Sequence, residues 1–176
     1  ICNEIFQGWE IEKAMVSAAE IGYDAIEIAP FTLADSVAEI GGQRRREIRE
    51  AAQRAGIAVA GIHWVLVKPE GLYINHTDSG VRARTARYFS DLVDFCADLG
   101  GRVMVVGSPK QRQILPGVSA QQAWDWARET FQSPVRRAEE RGVTICLEPL
   151  SPQETNFINT AEEAVRFTQT FGSPRF

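Results

Sequence analysis

The chain has 176 residues, 44% of them hydrophobic and 24% charged, a composition that supports one sizeable core. A formal net charge of −4 and a pI near 5.3 give no support for nucleic-acid or anionic-membrane binding, so neither partner is expected. No apolar run approaches the ~18 residues of a membrane span, and no signal peptide is visible.

Residues 1–6 read as a first strand carrying Asn3 and Glu4. From 10 to 21 the apolar residues Ile11, Met15, Ala18 and Ile21 fall three or four apart, which predicts an amphipathic helix that Gly22 ends. Residues 24–29 form a second strand, containing Glu27 and closed by Pro30. A charged helix follows over 43–55, then a third strand over 57–63 that finishes on His63. After a long connection with Pro69 and Gly71, helical spacing returns from about 78 to 99, with Tyr88, Phe89, Leu92 and Cys96 on one face. Gly100-Gly101 stops that helix before a fourth strand at 102–106 and a loop from Gly107 to Arg112. Ser119 and Gln122 are spaced as a capping box for a helix running to Arg141, which Pro134 is expected to kink or split.

The stretch from Val143 to Leu147 is short, nearly all apolar and β-branched, the pattern of a strand buried on both faces of a parallel sheet. It ends on Glu148, and Pro149 then stops the ladder. Thr160 and Glu163 make a second capping box, opening a last helix to about 170. Cys2, Cys96 and Cys146 are odd in number and far apart, which reads as buried, reduced thiols in a cytoplasmic setting.

Strand and helix alternate five times over, which predicts one α/β domain with parallel strands. A doubly wound sheet and a (β/α)8 barrel both produce this order. Three strands close on Glu27, His63 and Glu148, and a barrel gathers all its strand ends around one mouth. No glycine-rich phosphate loop follows the first strand, so the barrel is the better reading.

The run Leu147-Glu148-Pro149-Leu150-Ser151-Pro152-Gln153-Glu154, continuing through Phe157-Ile158-Asn159-Thr160-Ala161-Glu162-Glu163, resembles the fifth-strand signature of the xylose isomerase-like barrel superfamily. Within it the likeness is greatest to the ketose 3-epimerases and the sugar phosphate isomerase/epimerase group. The join Ile21-Gly22-Tyr23-Asp24-Ala25-Ile26-Glu27-Ile28 carries the same resemblance. The likeness implies that Glu148 binds a divalent metal (Mn²⁺, Mg²⁺ or Co²⁺) and removes a proton next to a substrate carbonyl. It implies that Glu154 hydrogen-bonds the sugar near the reacting carbons. The expected partner is a small carbohydrate, with a homo-oligomer also compatible.

His63 is a candidate for substrate or metal contact, with a packed, hydrogen-bonded histidine the plainer alternative. Trp64 is a candidate wall for the sugar, or simply a core tryptophan. Lys110, with Arg112 beside it, is placed to hold a substrate phosphate or carboxylate, against the blander reading of both as solvated surface charges. The family's metal site also draws an Asp, a His and a second Glu from the sixth to eighth strands. Those strands are absent here, since a whole barrel of this kind takes about 250 residues. The chain, opening on Ile1, is therefore expected to be the first five βα units of a longer product, inactive alone and prone to self-association. Competing readings are a keto-inositol dehydratase, a non-catalytic sugar-binding relative and, least favoured, an apurinic endonuclease. That last group carries a His at the end of its fourth strand, where this chain reads Val105-Val106-Gly107-Ser108-Pro109.

Overall fold

Four strands lie side by side in sequence order: β1 (Ala25–Ile28), β2 (Ala58–Ile62), β3 (Val103–Val106) and β4 (Thr144–Leu147). A computed structural model describes residues 1–176, and in it every neighbouring pair of strands is parallel. The helices α1 (Ile11–Ile21), α2 (Gly42–Ala55), α3 (Ser79–Asp98), α4 (Ala120–Arg141) and α5 (Ala161–Gln169) alternate with them. A doubly wound sheet reverses its strand order at a switch point, whereas this sheet runs one way throughout, as a barrel wall does. The wall continues at both flanks. Glu27 N–H donates to the Ile1 carbonyl at 2.8 Å on one side, and Ile145 N–H donates to the Arg175 carbonyl at 2.8 Å on the other.

The predicted first strand is corrected. Only Cys2 pairs, as a single parallel bridge to Glu27, and Asn3–Phe6 turns into a 3-10 helix. The cause is the Asn3 side chain. Its Oδ1 accepts from Ala29 N–H at 2.7 Å and its Nδ2 donates to Thr32 Oγ1 at 2.8 Å. A polar side chain that takes the neighbouring backbone donor competes with the ladder.

Alternation along the strands defines two faces. Ile26, Ile28, Met104, Val106 and Ile145 are buried beneath the helices. Glu27, Val105 and Cys146 take the other face, where Ala58, Ala60 and Cys146 are exposed. The expectation that the strand after Arg141 is buried on both faces is therefore corrected: helices cover one face of β4, and nothing in these residues covers the other. The thiols follow suit, with Cys96 buried, Cys2 half-buried and Cys146 exposed.

Both capping boxes form as the sequence predicts, at Ser119/Gln122 and Thr160/Glu163. The expected break at Pro134 does not occur, and α4 runs unbroken through it. A buried prolyl ring forfeits one intrahelical hydrogen bond, and packing against α3 offsets that loss. Phe89 stacks on Phe131 at 5.0 Å, and Arg82–Glu129, Arg137–Asp94 and Arg141–Asp98 tie the two helices along their length. Such partly exposed pairs are worth only about 0.2–1 kcal/mol each, so the aromatic burial dominates. Phe167 of α5 closes the core, in contact with Trp124, Phe131 and Phe176.

Candidate active site

The strand ends bring Glu27, His63 and Glu148 together. His63 and Glu148 each extend the ladder one residue past a strand: His63 N–H donates to Ile28 O at 3.1 Å, and Glu148 N–H to Val106 O at 3.0 Å. Their side-chain directions are thus set by the sheet rather than by a loose loop. His63 sits between the two carboxylates, with Nδ1 3.7 Å from Glu27 Oε2 and Nε2 3.8 Å from Glu148 Oε2. These separations lie beyond hydrogen-bonding distance, so the three groups face each other without locking together.

Beside them is a cavity of about 160 Å³, whose wall includes His63, Trp64, Gly107, Ser108, Glu148 and Glu154. Two of those residues, Trp64 and Ser108, have left-handed backbones, with φ 58° and 48°. Each is the second residue beyond its strand, β2 and β3 respectively. Non-glycine residues held at positive φ cost of order 1–3 kcal/mol and persist where the surroundings over-determine them, most often at functional sites. Trp64 is 44% exposed and its ring stacks on His63 at 5.8 Å, so the core-tryptophan alternative is set aside.

Glu154 reaches the cavity from the turn after β4, where its Oε2 accepts from Ser151 Oγ at 2.8 Å and Ser151 N–H at 3.2 Å. Glu148 has no such hydrogen-bonding side-chain partner, leaving its lone pairs available to a ligand. Lys110 stands exposed in the 3-10 turn Pro109–Gln111, outside the cavity wall.

Arg112 is the residue that sequence reasoning misplaced. Read from the sequence as either a substrate-holding cation or a solvated charge, it is instead fully buried, with Nη2 donating to Ile158 O at 3.4 Å and Nε and Nη1 unpartnered. Burial pulls its guanidinium down to about 10, while the charges of Glu148 and Glu154 pull it back up. It therefore remains a cation at neutral pH, near enough to both carboxylates for their charges to act on it. On the far side of Glu27, burial pushes the Cys2 thiol up to about 11.

A sheet ordered strand by strand, with ionisable groups gathered at its carboxyl ends, defines a barrel of the kind that hosts enzyme active sites. The chain belongs to the xylose isomerase-like TIM barrel family, whose family model matches residues 16–176. It is similar to an L-ribulose 3-epimerase of Mesorhizobium japonicum, at 27% identity over 93% of this chain and 52% of the relative. The chain thus spans about half the length of that curated relative. Among solved structures, a D-psicose 3-epimerase of Clostridium cellulolyticum superposes with a TM-score of 0.80 at 21% identity, over 96% of this chain and 57% of that one. A 3-keto-D-glucoside 4-epimerase of E. coli superposes with a TM-score of 0.79 at 18% identity, over 99% and 64%. At those identities the two structures establish the shared fold.

Proposed function

We propose that the full-length protein is a divalent-metal-dependent sugar or sugar-phosphate isomerase or epimerase, which removes a proton next to a carbonyl through an enediolate. The observation that carries this reading is Glu148: a strand-end carboxylate with no hydrogen-bonding partner, facing a cavity that also holds Glu154 and His63. Relatives named as ketose 3-epimerases and a keto-glucoside epimerase support the substrate class.

Glu148 would hold the metal, since its anionic oxygens suit Mg²⁺, Mn²⁺ or Co²⁺. One carboxylate does not fill the shell of such an ion, and on this reading the other ligands come from strands outside these 176 residues. When bound, the metal polarises the ketose carbonyl, worth several kcal/mol of charge stabilisation. Glu148 takes the proton from the adjacent carbon, contributing about 10²–10⁴-fold as a positioned base. Glu154, steadied by Ser151, orients the sugar hydroxyls near the reacting carbons. Trp64 offers a ring face to the sugar's apolar side and shields the site from water.

The test is Glu148→Gln in the full-length protein, read by deuterium incorporation from solvent at the carbon next to the carbonyl of L-ribulose or D-psicose. Exchange should fall at least ~10²-fold. Near-normal exchange would overturn the assignment, and loss of water from the substrate instead of exchange would favour the dehydratase.

A further inference from the structure

We propose that Cys2, Glu27 and His63 form a thiolate-containing divalent-cation site of the zinc or cobalt class, separate from the oxygen-ligand site at Glu148. The sheet register puts the three side chains on one face. Cys2 and Glu27 are partners in the parallel bridge, Glu27 pairs with Gly61, and His63 follows Gly61 by two residues. One ligand atom from each lies within 4.8 Å of the other two. Ligand atoms around a tetrahedral zinc stand roughly 3.3–3.7 Å apart, from metal–ligand lengths of about 2.0–2.3 Å, so closure needs side-chain shifts of only about 1 Å.

The donor types select the ion. A sulfur, an imidazole nitrogen and a carboxylate oxygen suit Zn²⁺ or Co²⁺ and discriminate against Mg²⁺ and Ca²⁺, which take all-oxygen shells. Three protein ligands leave a fourth position open, the arrangement of a zinc centre that accepts water or substrate. His63 presents Nδ1 towards Glu27 and Nε2 towards Glu148 Oε2, at 3.7 and 3.8 Å. A metal-bound histidine commonly donates its second N–H to a carboxylate, and Glu148 stands where that acceptor is needed. The side-chain contact of the Cys2 thiol is a long one, to Glu4 Oε2 at 3.5 Å. Ion binding releases the thiol proton to solvent, and the sulfur turns from that contact to the metal.

This site stands or falls apart from the proton-transfer role of Glu148, and the experiment separates them. The full-length protein is titrated with Co²⁺ in the presence of excess Mg²⁺ and followed by absorbance. The expected result is one saturable cobalt per chain, with a thiolate-to-cobalt charge-transfer band that Zn²⁺ displaces. Cys146→Ser should retain both the band and the affinity, Cys2→Ser should abolish the band, and Glu27→Gln should weaken binding at least ~10-fold, the lower bound for even an outer partner of a metal ligand. No charge-transfer band in the unsubstituted protein, or a band that survives Cys2→Ser, would overturn the proposal.

Discussion

A Cβ atom at Gly107 would stand 2.5 Å from Glu148 Oε2, closer than any real contact of that kind. The absent side chain at the end of β3 is what lets the carboxylate at the end of β4 lie where it does. Gly107 is not among the positive-φ glycines, so its backbone accepts alanine and the flexible carboxylate must give way. Gly107→Ala in the full-length protein is therefore expected to displace Glu148 and cost on the order of 10²-fold in kcat/KM. Stability should hold or rise by about 0.4–1 kcal/mol, because alanine restricts the unfolded chain. Steady-state kinetics beside a denaturant melt tests both halves, and full activity would remove Gly107 from the site.

What was legible in the sequence was local. Glycine stops, two capping boxes and an apolar strand ending on Glu148 each announce themselves within a few residues, and all are present. What stayed hidden depends on distant partners. Arg112 is buried because its loop is tied to the loop after β4, with Ile114 N–H donating to Asn156 Oδ1 at 2.6 Å and Gln113 Nε2 to Glu154 O at 2.6 Å. No pattern near Arg112 records that closure. Likewise Asn3 breaks the predicted first strand by bonding Ala29, 26 positions away.

Arg112 itself gives a prediction in which stability and activity part company. Its unpartnered Nε and Nη1 each carry a desolvation cost of about 1–3 kcal/mol. Arg112→Met keeps much of the volume and removes those donors, so a denaturant melt should show unchanged or higher stability. Activity should fall, because Glu148 and Glu154 lose the buried cation with which their charges interact. A loss of more than ~2 kcal/mol of stability would show that the guanidinium is a structural element.

Alkaline pH should destabilise the fold through Cys96. Burial pushes its thiol from 9.0 up to about 12. Between those values the unfolded chain has released the proton and the folded chain keeps it, so unfolding gains as pH rises. The contribution is complete below pH 9 and disappears towards pH 12, and its full size is of the order of a few kcal/mol. Burial raises Tyr73 and Tyr88 too and adds the same sign, whereas the lowered Arg112 opposes it. Stability measured against pH for the parent and Cys96→Ala isolates the thiol. The variant should lose part of the slope above pH 9, and an unchanged slope would refute the role.

The uncovered face of the sheet predicts how residues 1–176 behave as an isolated polypeptide. Ala58, Ala60 and Cys146 are exposed there, and Val103 and Val105 are half-exposed. Their surface is largely apolar from β2 to β4, with the half-exposed Thr144 on β4 and Glu27 at its margin. Contiguous apolar patches of more than a few hundred Å² are rare on soluble monomers. The flanks add to the tendency, since Ile1 and Cys2 on one side and Arg175 on the other continue the ladder for only a residue or two. Most of the outer edges of β1 and β4 is thus left open, and open edges beside an apolar face favour pairing with a second chain. Under reducing conditions, size-exclusion chromatography with light scattering should return a mass above the 19.6 kDa of one chain. Ala60→Lys places a charge in the middle of the face and should shift the population towards monomer. A monodisperse 19.6 kDa species in the unsubstituted chain would mean that the open face is tolerated as it stands.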